Sequence, residues 1–561
     1  MIGILKEKKG ENLVSKIKIF ALGGQNENGK NMYIVDVDND IFVFDAGLKY
    51  ADDKMLGIDY IIPNYDYIKE NSDKIKGVFI THGHDEHMGT LCDILKEVSD
   101  LKIYATKFTL EIIKEQLEKE NIGIDNLIEI KPHKKISFGA NSIFPISLTH
   151  TVPDAVGYTL YTPDGAIFYT GNFMFDPTML GVYKTDIGKL AYVGKQGVLC
   201  LMSESLYADK KGFTSPNHRT RDKIREVLNQ NEGRILYNIY QAQLYRIQEL
   251  FNELMDTDRK VVIMGKRLEE VILKAIDMKY IKFDKKRISS IHHVKDDRVV
   301  VLVSDEREKP FSNLQRILKG YDKFITINDE DTVVFASPVY DGMEHTATKI
   351  QDSIAKIGAN VVELPRKKYP SHHASSEDLM LMIDLMKPKY YMPVIGEYRH
   401  QVENANAALK VGMAEENILL KLNGEVAYFE NGMLVDKGYK VPVDTILIDG
   451  LAAGDVGDLV IKDRELLSSN GIVIITATLD KQTKEVVAGP EVLTRGFIFV
   501  KDNIDIIKEA EKISLEVIKE HTKTNYVDFS KIKTGIRDKV GKYFYEQTEC
   551  KPMILIVIGE V

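Results

Sequence analysis

The chain contains little cysteine, no long apolar run and no excess of positive charge, and each shortage narrows its possible functions. Its three cysteines, Cys92, Cys200 and Cys550, are odd in number and far apart. This spacing argues against a disulfide framework or a zinc finger and suits a reducing compartment, so a cytoplasmic protein is expected. No apolar run approaches the roughly 18 residues that span a bilayer, so no membrane partner is expected.

Positive charge is outnumbered by negative charge. Lysine and arginine total 75 against 84 aspartates and glutamates, which gives a net charge of −9. Because nucleic-acid-binding domains are typically basic overall, this balance does not indicate one, although a local basic channel remains compatible with it. At 561 residues the chain is too long for one hydrophobic core, and about three domains are expected.

What the sequence does contain is an alternation of strand and helix patterns. Short β-branched runs such as "IFVFDAGL" and "VFITH" alternate with amphipathic stretches such as "IDIIKEAEKISLEVIKE", which predicts an α/β fold. Changes in the pattern divide the chain into four segments: 17–206, 207–364, 365–440 and 445–561. Candidate chemical residues stand where predicted strands end, which is where α/β folds usually place their sites.

The stretch "ITHGHDEHMGT", residues 80–90, concentrates metal-ligand side chains at the end of one predicted strand. Imidazole suits Zn, Mn and Fe, and carboxylate oxygens suit the harder members of this set. His82 and His84 could converge on one ion from a tight loop, and Glu86 and His87 follow closely enough to serve a second. The alternative, a polar helix start with scattered histidines, does not explain why these side chains directly abut a buried strand.

This cluster resembles the His-x-His-x-Asp-His motif of the metallo-β-lactamase superfamily, and "VFITHGHDEHMGTL" resembles its nucleic-acid-cutting β-CASP group. Further stretches, including "THTVPDAVGY", "YTGNFMFDPT" and "LMKPKYYMPVIGEYRH", resemble bacterial ribonuclease J. The resemblance implies a metallo-β-lactamase αββα core, formed by 17–206 and 365–440 and interrupted by an α/β β-CASP domain at 207–364. It also implies that 445–561 is a small α/β C-terminal assembly domain.

The resemblance assigns roles to five residues that match the family motifs. Asp45 matches an aspartate that orients the metal loop, and His87 matches a ligand of the second ion. His82, His84 and His150 match the ligands of the first ion. On these five positions alone, the family's two-ion site would be expected here.

Three other positions depart from the family motif. The metal-binding aspartate is replaced by Glu86, whose extra methylene moves its carboxylate by about an ångström, and metal sites tolerate only small distance errors. Asp85 could substitute only if the loop changed register. The bridging aspartate is replaced by Asn172, and a carboxamide offers one good oxygen and no charge. The histidine expected in "PVIGEY" is replaced by Ile395, which cannot ligate a metal.

The ligand count therefore predicts one ion rather than two. Three imidazoles with water form a credible site for Zn or Mn, bound as one ion per chain or weakly. The second position keeps His87 and at most Glu86. Because two-metal hydrolysis requires both ions, weak or absent phosphodiester cleavage is expected. Two ions are expected only if Asn172 and Ile395 do not disable the second position.

The family motifs that act on RNA are also altered. Glu204 stands where the family usually has aspartate, and His373 matches a histidine that assists proton transfer and contacts phosphate. Together with Glu86 of the metal loop, His373 is a candidate catalytic residue. The candidate substrate-binding residues are Tyr369, Ser371, His372, His373, Lys266 and Arg267. In "SDEREKP", residues 304–310, a glycine loop of the family has become a charged stretch, which we interpret as solvated surface.

Basic residues follow the expected RNA path and permit two interpretations. They are Lys266, Arg267, Arg366, Lys367, Lys368 and Arg399. Lysine and arginine are mostly solvated surface residues. If these residues instead line one channel, they would bind RNA phosphates with a strong salt dependence.

Two functional hypotheses follow from the resemblance. The first is a fully active, metal-dependent ribonuclease J, a 5′-to-3′ exonuclease and endonuclease of mRNA decay and rRNA maturation. The second, which we favour because Asn172 and Ile395 remove ligands of the same ion, is a weakly active or inactive RNA-binding chain. Such a chain would resemble the degenerate paralogue that some bacteria pair with an active ribonuclease J.

The assembly of the favoured form is open. It could be a homo-oligomer, either dimer or tetramer, or a hetero-oligomer with the active paralogue. A third reading, a lactamase-like hydrolase of small molecules, would leave the β-CASP and C-terminal segments unexplained.

Overall fold

This computed structural model describes residues 15–52, 55–305, 311–339, 342–435, 437–450, 452–453, 458–498, 503–523 and 527–561. The described chain forms two compact units. One lies within Met1–Tyr50 and Tyr60–Ile446, and the other lies within Ala51–Asp59 and Leu447–Val561.

The elements follow the predicted alternation of strands and helices. In chain order the strands are β1 (Lys16–Gly23), β2 (Met32–Val37), β3 (Asp40–Phe44), β4 (Lys49–Tyr50), β5 (Tyr60–Pro63), β6 (Ile75–Phe79), β7 (Ile103–Ala105), β8 (Leu127–Glu129), β9 (Ile136–Phe138), β10 (Asn141–Ser147), β11 (Val156–Thr162), β12 (Gly165–Tyr169), β13 (Val198–Ser203), β14 (Ile235–Tyr240), β15 (Lys260–Met264), β16 (Ile288–Ser289), β17 (Val299–Asp305), β18 (Thr332–Phe335), β19 (Asn360–Glu363), β20 (Tyr390–Pro393), β21 (Ala427–Glu430), β22 (Met433–Leu434), β23 (Thr445–Asp449), β24 (Ala452–Ala453), β25 (Ile472–Leu479), β26 (Val486–Arg495) and β27 (Met553–Glu560).

The helices are α1 (Asp66–Glu70), α2 (Asp85–Met88), α3 (Leu91–Glu97), α4 (Lys107–Lys119), α5 (Ile187–Gln196), α6 (Arg221–Gln230), α7 (Leu244–Leu254), α8 (Lys266–Asp277), α9 (Ser312–Leu318), α10 (Glu344–Ile357), α11 (Ser376–Met386), α12 (Tyr398–Lys410), α13 (Asp458–Asn470), α14 (Ile504–His521) and α15 (Phe529–Thr548). Short 3-10 turns occur at Gly181–Tyr183, Lys285–Arg287, Ile291–His293 and Glu415–Asn417.

Two sheets of the first unit pack against each other. The first has the order β22-β21-β1-β2-β3-β6-β7-β8, and the second has the order β20-β13-β12-β11-β10-β9. Buried side chains from both sheets form one core, in which Phe79 of β6 lies 5.7 Å from Tyr158 of β11 between ring centres. Helices α5 and α11 cover the other face of the second sheet, and α4 packs beside β7 and β8 of the first. This layered arrangement confirms the predicted α/β fold.

The strand directions bring the candidate chemical residues to one edge. Strands β3, β6 and β7 run parallel in the first sheet, and β12, β13 and β20 run parallel in the second. Their carboxyl ends lead into the loops that carry His82, Asn172, Glu204 and Ile395. Since parallel strands end at the same edge of a sheet, the loops after them converge there.

A third sheet in the same unit is wholly parallel, with the order β16-β15-β17-β14-β18-β19. Every residue of β17 is buried, as its unbroken apolar run "VVVLV" predicts for a strand covered on both faces. After β15 the chain turns at Gly265, which has a φ of +137°, and a side chain there would collide with Ser304. This turn starts α8 and places Lys266 and Arg267 in its first turn.

The second unit contains a three-stranded sheet with the order β26-β25-β27. Its core joins buried residues of this sheet to the apolar faces of α14 and α15, including Val517 and Ile536. No helix in the described part of the chain is long and apolar enough to cross a membrane.

Candidate metal centre

Three histidines from two loops meet at the converging edge. His82 and His84 follow β6, and His150 follows β10. His82 and His150 are fully buried, and their Nε2 atoms lie 3.1 Å and 3.3 Å from Nδ1 of His84. The ligand atoms of all three lie within 4.8 Å of one another, so they could hold one metal ion. The two loops thus bring together the residues that the sequence predicted as the first-ion ligands.

The tautomers of two of these histidines are set by backbone carbonyl groups. His150 donates from Nδ1 to the carbonyl oxygen of His372 at 2.7 Å, and His84 donates from Nε2 to that of Ala242 at 3.3 Å. Because a carbonyl oxygen only accepts, the second ring nitrogen of each histidine keeps its lone pair. Those lone pairs lie on the nitrogens that face each other.

His82 is oriented by Thr81 and, through it, by Asp45. The Thr81 hydroxyl donates to the Asp45 carboxylate at 3.0 Å, which leaves its oxygen to accept from Nδ1 of His82 at 2.9 Å. Tyr169 also donates to Asp45, at 2.7 Å. This network leaves the lone pair of His82 on Nε2, where it faces His84.

The donor set of these three residues fits a cation. Burial, together with the nearby histidines, holds the pKa values of His82 and His150 well below the usual range, so their rings are neutral. Three lone pairs then face one another without a hydrogen between them, which is unfavourable unless a positive ion lies among them. Outer carbonyl and carboxylate partners that fix ligand tautomers are typical of metal sites with three histidines.

The position predicted for the second ion is arranged differently. His87 is buried and donates from Nδ1 to Asp45 at 2.7 Å, which leaves its lone pair on Nε2. That lone pair accepts from the side-chain amide of Asn172 at 3.1 Å and from that of Asn31 at 3.3 Å. In this arrangement the His87 lone pair faces two amide groups, and a metal could bind to it only by displacing both. The residues at this position therefore do not fit a second ion.

The two acidic residues of the metal loop are held by neighbouring side chains. Glu86 is half-buried, and its backbone oxygen accepts from the side chain of Asn31 at 3.0 Å. The carboxylate of Asp85 accepts from Tyr50 at 2.6 Å, Gln116 at 3.2 Å and Arg267 at 3.3 Å. Burial acts to raise the pKa of Asp85, but the charge of Arg267 and these hydrogen bonds outweigh it and lower the pKa. Asp85 is thus held away from a ligand role by three partners.

Ile395 occupies a backbone conformation that is unusual for its type. It has a φ of +55°, which β-branched residues rarely adopt, and its side chain is fully buried in the core between the first two sheets. Its N–H donates to the Tyr33 hydroxyl at 3.0 Å, and its carbonyl accepts from Ser205 at 3.0 Å. The turn is therefore fixed by its backbone partners, while the side chain adds apolar packing and no ligand.

The buried Glu204 and the partly exposed His373 form a pair beside the histidine cluster. Glu204 has no exposed surface, and its carboxyl group lies 2.8 Å from Nδ1 of His373, whose ring centre is 5.3 Å from that of His150. Burial raises the pKa of Glu204 to about 8, although backbone N–H groups of Phe173 and Ala374 act to lower it. A carboxyl group that titrates near neutral pH and contacts a histidine can hold or release a proton beside this site.

The other residues of the segment 369–373 that were predicted to bind substrate have different surroundings. The ring of His372 is buried against His218 and Tyr245, with ring centres 4.7 Å and 4.9 Å away, and only its backbone oxygen reaches the site, at His150. The Tyr369 carbonyl accepts from the buried Arg246 at 2.5 Å. The Ser371 hydroxyl is buried and has no hydrogen-bond partner among the described residues.

The basic residues of the predicted RNA path differ in their contacts with other side chains. Arg267 contacts Asp85, whereas the Lys266 side chain is 89% exposed. Arg399 pairs with Glu397 at 2.7 Å, and Lys368 lies 5.4 Å above the ring of Tyr369. Arg366 lies 6.0 Å from the centre of the Tyr207 ring, which also packs against His373. Residues 306–310 of the stretch "SDEREKP" lie outside the described residues.

Several residues that shape the site were not singled out from the sequence. The side-chain amide of Asn31 donates to Nε2 of His87, and the carbonyl of Ala242 orients His84 from a position 158 residues away in the chain. An asparagine in a loop and an alanine that acts through its carbonyl group carry no local signal. Only the placement of Thr81 directly before His82 could have suggested its role.

Comparisons with known proteins agree along the whole chain. Family models match residues 42–187 as a β-lactamase superfamily domain, 232–354 as the ribonuclease J β-CASP domain and 459–561 as the ribonuclease J C-terminal domain. The chain is 38% identical over 562 residues to ribonuclease J2 of Bacillus subtilis (strain 168), covering 99% of this chain and 100% of that one.

A second relative and a solved structure extend the comparison. Ribonuclease J 2 of Staphylococcus aureus (strain NCTC 8325 / PS 47) is 34% identical over 557 residues, covering 97% of this chain and 98% of that one. The crystal structure of a protein of unknown function from Enterococcus faecalis V583 has a TM-score of 0.51 and 15% identity, covering 74% of this chain and 100% of that one. At that identity the likeness indicates a shared fold and no more.

Proposed function

This chain belongs to the ribonuclease J family, and we propose that within it the chain is an RNA-binding, weakly cleaving or non-cleaving member that holds one metal ion. We further propose that it acts in the cytoplasm as the partner subunit of an active paralogue. The four segments at 17–206, 207–364, 365–440 and 445–561 would be its lactamase core in two parts, its β-CASP domain and its assembly domain.

The observation that carries this proposal is the state of His87. Its Nε2 lone pair accepts from two carboxamides, Asn172 and Asn31, and Ile395 contributes an apolar side chain where a ligand is expected. In two-metal hydrolysis the two ions stabilise the attacking and the leaving oxygen of the displacement at phosphorus, and the second ion serves one of these two oxygens. Without that ion, one of those two oxygens lacks its counter-charge.

His82, His84 and His150 would hold the single ion, which we propose to be Zn²⁺ or Mn²⁺. When bound there, the ion supplies a Lewis acid that polarises a phosphate oxygen. His373, which contacts Glu204, would donate or accept a proton next to it. Lys266, Arg267, Arg366, Lys367 and Lys368 would bind RNA phosphates, and Tyr369 and Ser371 would line the path.

The decisive experiment measures metal content and RNA cleavage together. The purified chain is loaded with Zn²⁺ or Mn²⁺, its bound metal is quantified, and degradation of a 5′-monophosphorylated RNA is followed. We expect one ion per chain and cleavage that is slow or undetectable. Robust turnover with two bound ions would refute the proposal and support the alternative, a fully active exonuclease and endonuclease.

RNA binding is tested separately through its salt dependence. The affinity for a single-stranded RNA is expected to fall steeply with salt, and an Arg366→Ala, Lys367→Ala, Lys368→Ala variant should reduce the slope of that dependence. Lys542→Ala, which removes an exposed lysine of α15, is the matched control and should leave the slope unchanged. Equal slopes for both variants would contradict the proposed path.

The partner role predicts mixed assembly. Size measurements of the chain alone should show a homo-oligomer, dimer or tetramer, and mixing with an intact-motif paralogue should give a complex that contains both chains. If the two chains elute separately at every ratio, the partner role is wrong even if RNA binding holds.

A further inference from the structure

A metal-ligand histidine of the lactamase core is oriented by the backbone of the third sheet's domain. Nε2 of His84 donates to the carbonyl oxygen of Ala242 at 3.3 Å, and Ala242 lies between β14 and α7. His84 itself lies in the loop after β6. Thr151 Oγ1 lies 3.2 Å from the same nitrogen, but a hydroxyl can donate as well as accept. The Ala242 carbonyl can only accept, so this contact between two separate sheets selects the tautomer that aims the Nδ1 lone pair of His84 at the other two histidines.

The side chain of Arg267 contacts a neighbour of each partner in this hydrogen bond. We call these contacts of Arg267 with Asp85 and Gln241 the bracket. Arg267 Nη2 lies 3.3 Å from the carboxylate of Asp85, the residue next to His84. The side-chain oxygen of Gln241, the residue next to Ala242, accepts from Nε and Nη1 of Arg267 at 3.2 Å each in the amide orientation that satisfies both of its polar atoms. Arg267 thus joins the two chain segments at the positions that flank the His84–Ala242 hydrogen bond.

Further contacts join other elements beside the third sheet to the lactamase core. Lys274 of α8 donates to the Glu111 carbonyl oxygen of α4 at 3.2 Å and lies 3.5 Å from the Glu115 carboxylate. The backbone of Tyr245 donates to that of Thr151 at 3.0 Å. Each partly exposed ion pair contributes little alone, so Arg267, which makes two contacts at the bracket itself, is the member with the most direct effect.

We propose that Arg267 is a positioning residue for the metal centre: by joining Asp85 to Gln241 it keeps the Ala242 carbonyl on His84 and so keeps the metal-binding tautomer of that ring. This inference rests on the proposed metal site at His82, His84 and His150. If the bracket opens, Nε2 of His84 loses the carbonyl that can only accept, the Thr151 hydroxyl can donate to that nitrogen instead, and the tautomer with hydrogen on Nδ1 competes. That tautomer turns a hydrogen, rather than a lone pair, toward the metal position.

The metal affinity of Arg267→Ala should change in the direction opposite to the one expected from charge alone. Arg267→Ala removes a positive charge near a cation site, which by charge alone would tighten metal binding. Loss of the bracket would instead weaken it. Lys266→Ala removes the same charge from the neighbouring position, where the side chain is 89% exposed and pairs only distantly, at 3.9 Å, with Glu270. It is therefore the matched control.

The test measures Zn²⁺ affinity by competition with a chelator, and the visible spectrum of the Co²⁺-loaded full chain. We expect Arg267→Ala to bind Zn²⁺ about tenfold more weakly, in the range seen when outer partners of a ligand are removed. Its Co²⁺ spectrum should change, and Arg267→Lys should recover part of the affinity. Lys266→Ala should bind as tightly as the unchanged chain or slightly tighter.

Other outcomes would overturn the inference. Equal or tighter Zn²⁺ binding by Arg267→Ala, or an unchanged Co²⁺ spectrum, would show that Arg267 does not position His84. If the unchanged chain binds no metal, the proposed function fails together with this inference. If that chain binds one ion and the variants do not differ, only this inference fails.

A reciprocal measurement checks the same coupling from the other direction. If closure of the bracket favours the metal, the metal must favour closure by the same free energy. Zn²⁺ should therefore slow hydrogen exchange of the amides in α8, and this protection should be lost in Arg267→Ala. Equal exchange with and without Zn²⁺ would contradict the coupling.

Discussion

The two ion positions implied by the family motif share the segment that follows β6, yet their chemistry differs. At the first, the lone pairs of His82, His84 and His150 face one another. At the second, the lone pair of His87 is already bound by two carboxamide N–H groups. Both positions have histidines oriented by outer acceptors, so orientation alone does not make a ligand. What faces the lone pair decides whether a histidine is poised for a metal or bound within the protein.

The comparison is tested most strongly by removing one histidine from each position. His84→Ala should lower Zn²⁺ affinity by at least about a hundredfold, because direct ligands contribute more than the outer partners that are worth 10- to 100-fold. His87→Ala should change it by less than about tenfold. Chelator competition gives both values, with circular dichroism to confirm folding. Similar losses in both variants would mean that His87 does ligate the ion.

Restoring the second position is expected to have the next largest effect. In the double variant Asn172→Asp, Ile395→His, a carboxylate replaces the amide that donates to His87. The Nε2 lone pair of His87 loses this donor, and the new negative charge favours a cation beside it. We expect the bound metal to rise toward two ions per chain and RNA cleavage to rise by tenfold or more, since each tenfold gain needs about 1.4 kcal/mol. Asn172→Asp alone is the control and should do less.

If the double variant still binds one ion, the amide of Asn31 is sufficient to block His87. If it binds two ions without faster cleavage, the altered phosphate-binding segments limit the reaction instead.

Variants at Ile395 distinguish the effect of apolar packing from the effect of a metal ligand at the second position. Without metal, Ile395→His should lower the free energy of unfolding by about 2 kcal/mol, because an imidazole replaces a buried aliphatic chain in an apolar core. Ile395→Val keeps the apolar character and should cost only about 1 kcal/mol. Chemical denaturation measures both. Added Zn²⁺ should recover stability in the histidine variant beyond its effect on the valine variant, and equal recovery would contradict a restored ligand.

The smallest effect concerns the buried carboxyl group of Glu204. Its pKa is raised to about 8 by burial, so the folded chain binds a proton that the unfolded chain releases. The stability from this group is present at acid pH and is lost as pH rises toward 8. Relative to the unchanged chain, Glu204→Gln should therefore gain about 1 kcal/mol or more between about pH 5 and pH 7. A pH-independent difference between the two chains would show that Glu204 is ionised throughout.

The fold and half of the site could be predicted from the sequence, for reasons that particular residues show. "VFITH" is a short apolar run that ends on a histidine, and the structure places it as β6 leading into His82. The departures at Asn172 and Ile395 were also visible as residue types. The consequence at Asn172 was not, because whether a carboxamide faces a metal or His87 depends on the tautomer that Asp45 imposes from the loop after β3.

The sequence by itself determined the family, the α/β architecture and the set of ligand-type residues, because strand periodicity and residue chemistry are local properties. The tertiary structure decided which lone pairs face each other, and it decided that Asn31 and Ala242 belong to the site. Those facts depend on hydrogen bonds between residues far apart in the chain, such as the 158 residues between His84 and Ala242. A ring nitrogen becomes an acceptor or a donor only when folding brings a carbonyl, an amide or a carboxylate to its opposite side.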